Sequence, residues 1–196
     1  MAQPIGIVAG SAEGAALCDR TICLEGVDRL GPHNHAEISI DSHAFAEHVN
    51  CIGANDWAGV ADLLFSSSQK PANAGADFLI AAGNTNYPAF DLVEHRWPRP
   101  GLHLAVEMAK EAKSCHSKRL GVLGASQLIE DPVYRDTLNS AGIDHRVPGD
   151  EPRQRLNRII FDHLVKGEFL APHAGQLHRG DARPERGRVR RRNPEL

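Results

Sequence analysis

No apolar run in this chain approaches the roughly 20 residues that a bilayer-spanning helix needs. The opening MAQPIGIVAG has no basic stretch ahead of its short apolar one, so neither a membrane anchor nor a secretory leader is predicted. A cytoplasmic protein is the expectation. Cys18, Cys23, Cys51 and Cys115 form no CxxC pair, which removes the usual dithiol and thiolate-metal signatures. A chain of 196 residues is also too long to depend on disulfide staples, so reduced, structural thiols are expected. Absent too are the GxGxxG turn of dinucleotide-binding proteins and a P-loop with its lysine. Strong net charge is missing as well: the formal total of −3 argues against general affinity for nucleic acid. That total hides a contrast, because the last 26 residues carry seven Arg against three acids, which leaves residues 1–170 at −7.

What the chain does have is a hydrophobic content of 41%, enough for a sizeable buried core. Short β-rich runs alternate with longer amphipathic stretches, the pattern of helices covering the faces of a parallel sheet. Strands are predicted at Ile5–Ala9, Glu37–Ile40, Asp77–Ala82, Leu102–Ala105, Arg119–Leu123 and Asp144–Val147. Between them, helices are predicted over about 12–29, Trp57–Ser67, 88–96, 106–115, Pro132–Ser140 and Arg153–Lys166, the last with Leu156, Ile159, Ile160 and Leu164 on one face. Two similar β-α-β runs predict an α/β fold of two lobes, 1–98 and 99–170, each a parallel sheet flanked by helices, with the second lobe incomplete at its C-terminus.

Ligands in such sheets bind beyond the carboxyl ends of the strands, which directs attention to three loops. Gly10-Ser11-Ala12-Glu13-Gly14 follows a strand and opens a helix, so its backbone amides can hold a carboxylate, although a plain tight turn explains the same residues as well. Asn84 and Thr85 put two hydrogen-bonding side chains at a strand's end, where either a ligand or local turn capping satisfies them. Gly124-Ala125-Ser126 forms the third loop. The eleven histidines include the HxH pair His33 and His35, followed by His43 and His48. No third ligand is defined, and Pro32 marks a surface loop, so no metal is predicted. Cys18 and Cys23, five apart on a helix, do not share a face, and Cys115 reads as a surface thiol at a helix end.

The segments IGIVAGSAEGAAL, AGADFLIAAGNTNYP, GVLGAS followed by EDPVYRDTLNSAGI, and RLNRIIFDHLVKGEF resemble, in order and spacing, four segments of the aspartate/glutamate racemase family. The resemblance covers residues 1 to about 170. It implies an isomerase that uses no pyridoxal phosphate or other cofactor. One base removes the Cα proton of an amino acid and a second base on the opposite face returns one. Ser11 matches the family's first-loop serine, and Asn84 and Thr85 match its Asn-Thr pair. With Ser126, which stands near the usual Gly-Thr of the second lobe, these residues are expected to bind the substrate. The resemblance further implies a small-molecule amino acid as the partner and a homodimer as the assembly. Position 83, where the family usually carries its first catalytic cysteine, is Gly83. His163 replaces a more usual acidic residue. An alternative expectation is a protein that binds an amino acid or dicarboxylate without catalysis.

After Phe169 the likeness stops. The family continues with a helix and a strand ending in Gly-Cys-Thr-Glu, whose Cys is the second base, whereas this chain reads LAPHAGQLHRGDARPERGRVRRRNPEL. Residues 171–196 are therefore expected to be an aberrant, basic, disordered tail. Reading the possible codons of Leu177–Glu195 one nucleotide later permits YIEAMLALSAAGCDAVILS, an amphipathic helix followed by an apolar strand. A reading-frame shift near residue 171 is the expectation, and coding DNA without such codons excludes it.

Overall fold

The computed structural model describes residues 2–169. The basic tail and the frame-shift reading lie outside the described residues. Four parallel strands, β1 (Ile5–Ala9), β2 (Ile38–Ser42), β3 (Phe78–Ala82) and β4 (Gly101–Leu102), form one sheet in the order β2-β1-β3-β4. All five residues of β1 are buried, as its sequence IGIVA requires of a strand covered on both faces. The pleat divides its side chains: Val8 faces one core with Leu79 and Ala81 of β3, while Ile5, Ile7 and Ala9 face the other with Phe78, Ile80 and Ala82.

Each face is closed by a helix. α1 (Ala12–Leu30) lays Ala15, Cys18 and Ile22 on the second of these cores. α3 (Trp57–Asn73) packs on the first through Val60, Ala61 and Leu64 and is held to the sheet by Pro71 and Ala72 further along the same stripe. Val8, Val60, Leu64 and Leu79 are fully buried, and each such side chain stabilises the fold by about 1.5–3 kcal/mol. A polar tie adds to this at the sheet edge. Ser67 donates to the Asp41 carboxylate at 2.9 Å and Lys70 to its other oxygen at 2.8 Å. Burial alone would raise the Asp41 carboxyl, but these bonds outweigh it and hold the group below its ordinary value.

Helix α3 continues to Asn73 where the sequence reading stopped at Ser67, and it contains Pro71 in its last turn. Another helix, α2 (Phe45–Gly53), was not foreseen. α2 buries His48 to 1% exposure, and neither ring nitrogen has a hydrogen-bond partner among the described residues. Burial, then the neighbouring His43, lowers the His48 pKa below its ordinary 6.5, with Glu47 opposing. The imidazole is thus held neutral in the fold, while the unfolded chain takes up a proton as pH falls through about 6.5. Stability is full above that value and declines below it until the folded-state pKa is reached, by up to about 1.4 kcal/mol per pH unit. Melting between about pH 7.5 and about pH 5.5 is expected to show this loss, and to show less of it in His48→Leu, a window well above the one in which Asp41 acts. Equal slopes in the two proteins would exclude His48 as the cause.

From β3 a 3₁₀ turn (Asn84–Asn86) leads into α4 (Tyr87–Val93), a second 3₁₀ turn and then β4. The chain then passes along α5 (Leu104–Ser114) to a second, two-stranded parallel sheet of β5 (Arg119–Gly121) and β6 (Asp144–Arg146). α6 (Ser126–Glu130) and α7 (Pro132–Ser140) connect these strands, and α8 (Asp150–Asp162) follows. α7 has the predicted bounds, fixed by Pro132 at its first position and Asp131 capping the Val133 N–H at 2.8 Å. Ala105, Val122, Leu128, Tyr134, Leu138 and Ile143 build the second core. Val133 packs against this core and against the first. No helix among the described residues is long and apolar enough to cross a membrane.

Candidate active site

The carboxyl ends of β1 and β3 lie side by side, and the two loops that leave them are in contact. Gly10 donates its N–H to the Ala82 carbonyl at 3.2 Å. A Cβ at Gly10 would lie 2.5 Å from Asn86 Nδ2, so glycine is what lets the loops approach this closely. Gly83, in extended backbone, faces the same gap: a Cβ there would lie 3.1 Å from Asn86 Nδ2 and 3.3 Å from Gly10 Cα. Asn86, buried behind both glycines, closes the 3₁₀ turn by donating its N–H to the Gly83 carbonyl at 3.1 Å. It was not singled out from the sequence as a site residue, yet it is the side chain around which both loops fold.

Three of the four expected binding residues sit on these adjacent loops. Ser11 caps α1, its Oγ accepting from the Gly14 N–H at 3.2 Å, and it borders a cavity of about 470 Å³ together with Glu13, Arg20, Leu164 and Phe169. Asn84 is exposed and Thr85 half-buried on the turn after β3. Ser126 comes from the second sheet's side, at the start of α6, where its N–H donates to Asn157 Oδ1 of α8 at 2.9 Å. Asn84 borders a cavity of about 250 Å³ that reaches the second sheet at Leu120–Leu123, and its Oδ1 accepts from the Tyr134 hydroxyl at 3.2 Å. Neither Asn157 nor Tyr134 had a signal in the sequence. Each acts across a long stretch of chain, and no spacing rule reports such a contact.

Both tyrosines and Cys18 are raised in pKa, in each case chiefly by burial. Burial pushes the Tyr134 phenol up to about 12. Burial also raises Tyr87, opposed by the bond its oxygen accepts from the Leu104 N–H at 2.7 Å. The Cys18 thiol is raised by burial and by Asp19, the reverse of what an activated thiolate needs. Cys115 is exposed at the C-terminal end of α5. His33 lies in an exposed turn at positive φ, and His35 Nδ1 lies 2.8 Å from the Ala36 carbonyl. Among the described residues no group of three or more His, Cys, Asp and Glu is placed to hold a metal ion. His163 is 2.8 Å from the Glu168 carboxylate.

A parallel α/β sheet with small, hydrogen-bonding residues at adjacent strand ends belongs to the class of folds whose ligands bind beyond the carboxyl ends of the strands. The particular family follows from comparison: the model of the Asp/Glu/Hydantoin racemase family matches residues 22–180, most of the chain, and the chain belongs to that family. Among solved structures, a Yersinia pestis protein described as a candidate Asp/Glu racemase is 27% identical with a TM-score of 0.78, over 91% of this chain and 79% of that one. An aspartate racemase homologue from Pyrococcus horikoshii is 26% identical with a TM-score of 0.70, over 85% of this chain and 74% of the other. The aspartate racemase of Picrophilus torridus, 13% identical over 85% of this chain and 71% of its own, shares the fold with a TM-score of 0.66.

Proposed function

We propose that this chain is an amino-acid racemase by descent that keeps the family's substrate-binding loops and is impaired in Cα proton transfer. Ser11, Asn84, Thr85 and Ser126 would hold the carboxylate and ammonium ends of a small amino acid, aspartate or glutamate being the first to try. The observation that carries this reading is the closure of the Gly10–Ser11 loop on the Gly83–Asn86 turn, which gathers hydrogen-bonding groups at two adjacent strand ends. Racemisation without a cofactor needs a base on each side of Cα. Position 83 has no side chain to serve as one, and the four thiols of the described residues stand elsewhere in the fold. The non-catalytic alternative, an amino-acid or dicarboxylate binder, draws on the same loops and on the same missing side chain.

Both readings require binding. L-Aspartate or L-glutamate at about a hundred times its dissociation constant is expected to stabilise the protein by roughly 2.7 kcal/mol, seen as a rise in melting temperature that Asn84→Ala reduces by about half. Proton exchange at Cα in deuterated water then separates the two: slow exchange supports the impaired racemase, and binding with no exchange supports the binder. No shift with any small amino acid or dicarboxylate would remove both.

A further inference from the structure

We infer that Tyr134 is a positioning residue for ligand recognition, its hydroxyl fixing which face of the Asn84 amide is offered to a carboxylate. The inference rests on the reading of Asn84 as a ligand-binding residue. A primary amide has one accepting end and one end with two donors, and only the donor end suits a carboxylate. Asn84 is exposed on a short turn, where nothing in its own loop holds the amide. The hydrogen bond from the Tyr134 hydroxyl to Oδ1, at 3.2 Å, occupies the acceptor and leaves Nδ2 with its two hydrogens for the ligand. The phenol keeps its proton near neutral pH because burial raises its pKa, so it is able to donate as the bond to Oδ1 requires.

The orientation of Tyr134 is itself over-determined. Its ring belongs to the second core, with Ala105, Val122, Leu128 and Leu138, and the residue borders the cavity that Asn84 also borders. The helix that carries it starts at a fixed point, set by Asp131 and Pro132. A rigid aromatic with one polar tip loses little side-chain freedom when it makes this bond. Tyr87, the other tyrosine, differs: its oxygen accepts from the Leu104 backbone and helps hold the chain between α4 and α5. The Tyr134 contact instead joins two side chains 50 positions apart, one from each sheet's set of elements, and makes ligand binding at the first sheet depend on the placement of a helix from the second.

Calorimetric titration of the full chain with L-aspartate, in a double-mutant cycle, tests this. Tyr134→Phe, which removes only the hydroxyl, is expected to weaken binding roughly tenfold in the otherwise unaltered protein. In the Asn84→Ala background the same substitution should change it less than about twofold. A similar weakening in both backgrounds would mean that the hydroxyl acts through packing alone, and no weakening in either would mean that the amide needs no orienting; each result overturns the assignment while leaving the substrate reading intact. Failure of the unaltered protein to bind L-aspartate, L-glutamate or any other small amino acid or dicarboxylate would overturn both.

Discussion

Gly83→Cys is expected to raise the rate of Cα deuterium incorporation into one enantiomer of the bound amino acid by about a hundredfold or more, the usual contribution of a placed base, without a matching rise in inversion. A thiol at 83 would stand beyond the end of β3, between Gly10 and Asn86. The added Cβ needs Asn86 Nδ2, at 3.1 Å, and the Gly10 backbone, at 3.3 Å, to give by a few tenths of an ångström, and the extended backbone at 83 accepts any residue. As thiolate, the new side chain takes the Cα proton and leaves an electron pair on carbon that the carboxylate delocalises. The thiol exchanges that proton with solvent and returns a deuteron to the face from which the proton left. One base therefore labels one enantiomer and retains its configuration, and inversion awaits a second base opposite. Mass spectrometry with chiral separation reads both quantities. Gly83→Ala, which adds the Cβ and no thiol, should stay at the background rate. Equal labelling of both enantiomers would show that a second base is already present, and no labelling despite intact binding would show that position 83 does not face the α-carbon.

The second large effect concerns the sheet rather than the chemistry. Gly6, the second residue of β1, lies under α3 at a distance that only a glycine permits. A Cβ there would stand 2.7 Å from Pro71 Cβ and 3.1 Å from Ala76 Cβ, and closer still to the Leu79 side chain. Pro71 cannot turn aside, since its ring is part of the helix backbone, so either α3 lifts from the sheet or β1 shifts. Gly6→Ala should cost about 3 kcal/mol, as overpacking of a tight core does, and lower the melting temperature by roughly 10 °C. Gly53→Ala at the end of α2, where an added Cβ meets nothing within 4 Å, should be neutral or slightly stabilising. Equal melting of the two variants would mean that the approach of α3 to β1 is looser than described.

The parts of this fold that could be read from the sequence are those in which composition acts locally. β1 and β3 were legible because fully buried parallel strands are nearly continuous apolar runs, and α7 because Asp131-Pro132 starts a helix and Gly142 stops it. α2 was missed: FAEHVNCIG has no breaker in front of it and its one buried residue is a histidine, which counts as polar in any periodicity. β5 and β6 are three residues each, shorter than their apolar flanks suggested, because only that much of each strand finds a partner in the other. In the candidate site, Ser11, Gly83, Asn84 and Thr85 were legible because they follow strands directly. Asn86, Tyr134 and Asn157 were not, since their roles arise from the approach of distant segments.

The valine at position 133 touches both hydrophobic cores and so ties one to the other. Any excursion that parts the layers must pull this side chain out of one oily environment and wet it, at an expense of about 1–2 kcal/mol. This one side chain therefore opposes separation of the two cores, from a point one residue away from Tyr134.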